Sequence, residues 1–195
     1  MQGIVFKGYK MKKNWNEIIL QELGDAMSRL QEEQLDSLAE ALLTSDSKVL
    51  CVGVGRVMIS LKAWVKRLRH LGIHINYVGS ESEDPVGTGD LVLVASASGE
   101  SIFPVQIAKK AKSVGAKVFY IGCTPGSSVD CLADGRLLVA GRTKFSGPED
   151  LVSIQPMSTL FEQQLYLLCD SLALEIMERK GLTEESVKHY HANLE

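Results

Sequence analysis

The stretch 91–101, LVLVASASGES, places an apolar run directly before small and hydroxyl side chains that surround one glycine. The apolar run predicts a strand buried on both faces, and Ser101 predicts the start of a helix. Ser96, Ser98 and Ser101 would then lie beside the unpaired N–H groups and the positive dipole end of that helix. This environment favours a phosphate group, so a sugar phosphate or a nucleotide is the first ligand class to consider.

Short apolar segments alternate with helical patterns along the rest of the chain. Strands are predicted at 48–53, 73–78, 91–95, 117–122 and 135–139. Helices are predicted at 56–71, 101–114 and 158–180, with a short one from 183 and one long or broken amphipathic helix at 16–43. This alternation indicates the α/β class, with a five-stranded parallel sheet covered by helices on both faces.

The composition indicates one ordinary globular domain. The chain has 195 residues, of which 45% are hydrophobic and 23% charged, and no glycine- or proline-rich linker divides it. We therefore expect residues 1–15 to be an N-terminal extension and residues 16–195 to form one domain. The net charge of −3 does not favour nucleic acid as a partner. No apolar stretch has the roughly 20 residues of a membrane span, and no signal peptide is evident, so a cytoplasmic location is expected.

Three loops follow predicted strands at the edge where parallel sheets bind ligands. They are 53–56, 96–101 and 124–128, and all three are rich in glycine, serine or threonine. Because all three have the same placement and composition, together they predict an anion site more strongly than any one of them alone.

Two other kinds of chemistry are disfavoured by the residues present. The turn GVGR resembles a dinucleotide fingerprint, but Met58 occupies the place of the third glycine, and strand 73–78 does not end in an acidic residue. The four cysteines and four histidines show no metal-ligand spacing, so no metal site is expected.

With these loops in view, the chain resembles the sugar isomerase (SIS) domain family, and within it the 6-phospho-3-hexuloisomerases of the ribulose monophosphate pathway. The similarity rests on VGVGR (52–56), RLRHLG (67–72), GTGDLVLVASASGES (87–101), AKKAKSVGAKV (108–118), QPMSTLFEQ (155–163) and the ending LTEESVKHYHANLE. The SxSGxS string marks the fold broadly, whereas the PxxTxFE segment and the HANLE ending are narrower signals for the hexuloisomerase branch.

The resemblance implies a doubly wound, flavodoxin-like three-layer sandwich that interconverts 3-hexulose 6-phosphate and fructose 6-phosphate without a cofactor or metal. It assigns substrate phosphate binding to a set of loop residues: Gly55, Arg56, Ser96, Ser98, Gly99 and Ser101. It makes Glu162 the candidate catalytic base, His191 a candidate for ring opening or proton relay, and His70 a lower-ranked candidate.

Ordinary structural roles remain open for the same residues. Glu162 lies near a helix start, where a carboxylate is favoured simply by the helix dipole. The three serines suit strand-end and N-cap positions, and His191 would also suit the surface of a terminal helix.

This chain departs from the family pattern at four positions. Val57 stands where a serine commonly follows the arginine, and Tyr190 replaces an arginine before the tail histidine. Ser158 stands where glycine is usual, and Ser101 where threonine is common. These changes indicate either a divergent substrate or a weakened enzyme.

Segment 158–180 is apolar on nearly every face, which predicts burial on all sides and hence a homodimer or homotetramer. In such an assembly the tail histidine would reach a neighbouring subunit's site. Two alternative functions remain open: a non-catalytic sugar-phosphate sensor of the same fold, and an isomerase acting on another ketose or aldose phosphate.

Overall fold

The computed structural model describes residues 13–43, 47–143 and 153–194. The helices are α1 (Trp15–Met27), α2 (Glu32–Leu43), α3 (Arg56–His70), α4 (Ile102–Ser113), α5 (Thr159–Lys180) and α6 (Glu184–Lys188). The strands are β1 (Val49–Val52), β2 (Ile75–Tyr77), β3 (Leu91–Ala95), β4 (Lys117–Gly122) and β5 (Gly135–Leu138). These bounds lie within two residues of the predicted ones except at 16–43.

The five strands form one parallel sheet in the order β2-β1-β3-β4-β5. Strand β3 is central and buried along its whole length, because helices cover both faces of the sheet. The strand order reverses between β1 and β3, which lie side by side with Val49 opposite Leu91. The predicted doubly wound α/β architecture is confirmed.

Two hydrophobic cores lie on opposite faces of this sheet. Helices α2, α3 and α5 pack on one face, where the Trp64 indole donates a 2.7 Å hydrogen bond to the carbonyl of Leu165. Helix α4 packs on the other face together with a short 3₁₀ turn at Asp130–Leu132. The three layers fix the starts of α3, α4 and α5 relative to the sheet.

The segment predicted as one long or broken helix is broken. Helix α1 ends at Met27, where the Ser28 hydroxyl donates to the carbonyl of Asp25, and α2 begins at Glu32. Helix α1 begins at Trp15 behind an Asn14 cap, one residue before the predicted domain boundary. Residues 1–12 of the predicted extension lie outside the described residues, so the division at residues 15 and 16 stays a prediction.

Candidate functional site

A cavity of about 390 Å³ opens at the carboxyl ends of β1 and β3, where the strand order reverses. Its walls come from the loop after β1, the loop after β3 and the start of α5. The lining residues are Val54, Gly55, Arg56, Val57, Ala95, Ser96, Ala97, Ser98, Ser101, Thr143, Met157, Ser158 and Glu162. Two of the three predicted loops therefore meet in one site, as expected for ligand binding at a switch point.

Three helix N-termini converge on this cavity. Gly55, Ser101 and Ser158 are the N-cap residues of α3, α4 and α5, and all three line it. None of these three caps accepts a side-chain hydrogen bond from a backbone N–H of its own helix. Unpaired backbone N–H groups and three positive dipole ends therefore lie near the cavity, an arrangement that favours an anion.

The predicted phosphate loop divides into a structural part and an exposed part. The buried Ser96 hydroxyl accepts a 3.1 Å hydrogen bond from the Gly99 N–H, so it shapes the turn from inside. Gly99 adopts φ +64° and is not among the residues that line the cavity. Ser98 and Ser101 are the loop hydroxyl residues that remain for a ligand, although Ser98 also accepts from the Glu100 N–H at 3.3 Å.

The third predicted loop, 124–128, packs against the loop that follows β3 and is absent from the cavity's described lining. The Thr124 hydroxyl donates to the carbonyl of Ala97 at 3.2 Å. The backbone N–H and hydroxyl of Ser128 both donate to the Glu100 carboxylate at 2.7 Å. The expectation that this loop joins the other two around the ligand is therefore corrected, because packing directs its hydroxyl groups onto the neighbouring loop.

Tyr120 lies beneath the same turn. Its hydroxyl donates to the carbonyl of Ser96 at 3.0 Å, and burial raises the pKa of Tyr120 to about 12. The phenol therefore stays protonated at neutral pH and holds the serine loop as a hydrogen-bond donor.

Glu162 lies in the first turn of α5, on the cavity wall, with its side chain 11% exposed. The Arg56 Nε donates to Glu162 Oε2 at 2.5 Å, and the Ser158 hydroxyl donates to Oε1 at 3.1 Å. The structure therefore brings together the predicted base, the predicted arginine and the serine that replaces the family's glycine. The remaining lining is largely apolar and includes Val57, which is buried in the position of the family's serine.

Met157 and Thr143 also line the cavity, although neither was predicted from the sequence. Thr143 lies in the segment that follows β5. A hydroxyl residue after a parallel strand is a sequence feature that could have indicated a place in the ligand site. Met157 has a left-handed backbone, with φ 52°, which no sequence pattern indicated. A left-handed non-glycine residue is strained and tends to occur at functional sites.

Hydrogen bonds to Glu22 hold the segment that carries Met157. The Glu22 carboxylate on α1 accepts hydrogen bonds from the Ser153 hydroxyl at 2.6 Å and from the Ile154 N–H at 2.9 Å. It also accepts from the Gln155 amide at 3.0 Å. Burial raises the pKa of Glu22, but these hydrogen bonds outweigh burial and hold it below the ordinary value.

His70 and His191 lie together, away from the cavity. Their ring centroids are 5.2 Å apart, and His70 is the last residue of α3. Arg56, which contacts Glu162, is the first residue of that helix. Because an α-helix rises 1.5 Å per residue, the two ends of α3 lie about 20 Å apart. The predicted grouping of both histidines with Glu162 is therefore not formed within one chain. Tyr190 lies in the same tail and approaches Gly72.

Residues 13–43, 47–143 and 153–194 hold no group of three or more His, Cys, Asp or Glu side chains placed to bind a metal ion. Over the same residues, none of the helices combines the length and apolar character needed to cross a bilayer.

Similarity to known proteins was found over nearly the whole chain, although no family model matches it. A Bacillus subtilis 3-hexulose-6-phosphate isomerase is 37% identical over 177 residues, covering 91% of this chain and 95% of the relative. A Methylomonas aminofaciens 3-hexulose-6-phosphate isomerase is 29% identical, with coverages of 93% and 98%.

A solved structure agrees with these relatives. A Methanococcus jannaschii protein, whose crystal structure is described as inferring a 3-hexulose-6-phosphate isomerase function, is 26% identical. It superposes with a TM-score of 0.78 over 92% of this chain and 98% of its own. By sequence and by fold, the chain belongs to the 3-hexulose-6-phosphate isomerase family of sugar isomerase (SIS) domain proteins.

Proposed function

We propose that this protein interconverts 3-hexulose 6-phosphate and fructose 6-phosphate. The supporting observation is the meeting of three uncapped helix N-termini around a cavity that also holds one acidic side chain, Glu162. The helix ends suit the substrate phosphate, and the carboxylate suits proton transfer at carbon. The named relatives carry the same activity.

The phosphate is assigned to Ser98, Ser101 and the backbone N–H groups at the starts of α3 and α4, with Arg56 as a charged donor. Gly55 belongs to this group through its backbone, since its φ of +58° turns the chain into α3. Ser96 and Gly99 contribute indirectly, because their mutual hydrogen bond shapes the loop.

The reaction moves a carbonyl from C3 to C2 of the sugar. Glu162 removes the proton from C2, and the electron pair forms the C2–C3 double bond of an enediolate as the C3 oxygen becomes negative. The same proton returns to C3, and the hydroxyl proton on O2 passes to O3, which leaves the carbonyl at C2. The sugar as a whole neither gains nor loses a proton and Glu162 ends as the carboxylate it began as, so the reaction requires only a positioned acid and base.

His70 and His191 take part in this scheme only if a second copy of the chain supplies them. In one chain they lie at the far end of α3 from Glu162. Helix α5 also leaves Tyr166 and Leu174 51% and 69% exposed, which is more apolar surface than a solvent-facing helix needs. We therefore propose a homodimer or homotetramer in which the histidine pair of one subunit approaches the cavity of another.

An activity assay with Glu162→Gln tests the proposal. Hexulose 6-phosphate would be generated in situ and fructose 6-phosphate followed by a coupled nicotinamide assay. We expect the substitution to lower kcat by a factor of about 10² to 10⁴, as for the loss of a positioned general base. Glu178→Gln, an exposed charge change on the same helix, is the matched control and should keep full activity.

Three results would contradict parts of the proposal. Wild-type turnover by Glu162→Gln would exclude this residue as the base. A wild-type protein that is inactive, yet gains thermal stability with sugar phosphates, would instead fit a sensor. Turnover of a different ketose or aldose phosphate would redirect the substrate assignment.

A further inference from the structure

The carboxylate that the proposed reaction needs is already occupied. Glu162 Oε2 accepts the Arg56 Nε–H at 2.5 Å, while Oε1 accepts from Ser158 at 3.1 Å. A carboxylate oxygen that holds a guanidinium N–H is poorly placed to take a proton from carbon, because the donor occupies the approach to its lone pair. The structure therefore shows the base in a closed arrangement.

We propose that the Arg56–Glu162 ion pair is a lock that an anionic substrate opens. A phosphorylated sugar draws the Arg56 guanidinium onto its phosphate oxygens, and Glu162 Oε2 becomes available to the substrate carbon. This inference rests on the proposed function for the identity of the base, and it adds a reason why the enzyme would act on phosphorylated sugars only.

The exposure of the two partners makes this exchange easy. The Arg56 side chain is 63% exposed and the Glu162 side chain is 11% exposed. The arginine is therefore the partner that moves, since water already solvates most of it. An ion pair with one mostly exposed member contributes little to stability, so breaking it costs little.

Charge in the cavity determines which ligand can open the lock. Among the described lining residues, Arg56 and Glu162 are the two that carry charge, and they neutralise each other. A phosphate offers several oxygens to a planar guanidinium and can accept two parallel hydrogen bonds, which an uncharged sugar cannot match. The three helix N-termini keep the phosphate beside Arg56 while the exchange takes place.

Inorganic phosphate is the probe that separates this lock from a merely structural ion pair. In the wild-type protein phosphate must first displace Glu162 from Arg56, whereas in Glu162→Gln the arginine is not held by a charge. We expect Glu162→Gln to bind phosphate roughly 2- to 5-fold more tightly, the factor that matches a partly exposed ion pair. Glu178→Gln should bind phosphate as the wild type does.

A double-mutant cycle assigns the effect to Arg56. Glu162→Gln should give no tightening in an Arg56→Gln background, because the competing donor is gone. Equal or weaker phosphate binding by Glu162→Gln, with its far-ultraviolet circular dichroism unchanged, would overturn the lock.

A measurement on the unmodified protein covers the case in which a variant does not fold. The NMR resonance of the Arg56 Nε–H, assigned by its loss in Arg56→Lys, should move with phosphate but not with fructose. A resonance unmoved at saturating phosphate would also overturn the lock. If the wild type is active but Glu162→Gln does not bind phosphate more tightly, the lock is rejected and the proposed function stands. If Glu162→Gln does bind phosphate more tightly but the wild type is inactive, the proposed function is rejected and the lock stands.

Discussion

At the scale of single residues, Gly99 has the most constrained position in the serine loop. Its φ is +64°, and a Cβ built there would lie 2.0 Å from Ser127 Oγ and 2.9 Å from the Tyr120 hydroxyl. Glycine is therefore required both for backbone conformation and for space. This constraint explains how a residue outside the cavity lining can still belong to the binding loop.

Gly99→Ala tests that constraint, with Gly126→Ala as the matched control. Gly126 also has a positive φ, of +73°, but a Cβ there would meet nothing within 4 Å. We expect Gly126→Ala to cost about 1 to 2 kcal/mol from backbone strain alone. Gly99→Ala should cost about 2 to 5 kcal/mol and weaken phosphate binding, because the overpacked loop must also shift. Equal losses in urea unfolding would show that the close contact is unimportant.

At the scale of elements, α1 acts on the cavity through a neighbouring segment. Glu22 holds residues 153–155, which lead through Met157 and Ser158 into the start of α5. The left-handed Met157 needs such support, because its backbone conformation is unfavourable by itself. The first helix of the domain therefore helps to position a wall of the cavity from outside it.

Glu22→Gln should destabilise the protein by about 1 to 2 kcal/mol at pH 7, because charge-assisted hydrogen bonds are lost. In the folded protein the pKa of Glu22 lies below its ordinary value of 4.5. The stabilisation is therefore complete above that pH and is lost as the pH falls through the lower, folded-state pKa. Unfolding free energies measured from pH 7 down to pH 3 should show the gap to wild type closing in acid.

The control for this pH series is Asp25→Asn, an exposed charge change on the same helix. We expect it to alter the unfolding free energy at pH 7 by less than about 0.5 kcal/mol, as is usual for surface substitutions. A gap for Glu22→Gln that stays constant from pH 7 to pH 3 would mean that the charge of Glu22 does not hold the segment.

At the scale of the whole molecule, one chain contains the parts of the predicted site in two places. The cavity holds Arg56 and Glu162, whereas His70 and His191 form a pair at the other end of α3. An assembly reconciles these positions if the histidines of one subunit face the cavity of another. Mixing inactive variants can test this directly, because active hybrid sites form only between chains.

Glu162→Gln and His191→Asn should each lose most activity alone, and a co-refolded mixture of the two variants should regain part of it. Random pairing of two chains in a dimer leaves about a quarter of the sites with both native residues. A mixture of Glu162→Gln with Arg56→Gln is the control, since both residues line the same cavity within one chain. Recovery in neither mixture would exclude a site that is completed by the histidines of a second chain.

The parallel sheet, the glycine-, serine- and threonine-rich loops at its carboxyl edge and the family could all be predicted from the sequence, which however grouped three loops around the ligand where two meet. These features depend on local patterns: apolar strands buried on both faces, turn residues, and helix starts. The bounds of β3 and β4 were predicted to the residue because their apolar runs end abruptly in serine, glycine or polar residues.

Which side chains pair across the site follows from tertiary packing alone. Arg56 meets Glu162 across 106 residues of sequence, and Glu22 meets Ser153 across 131. Tertiary packing also places loop 124–128 against the loop that follows β3 and the two histidines far from Glu162. Such contacts depend on how helices pack against the sheet, and the periodicity of one segment holds no information about the distance to another.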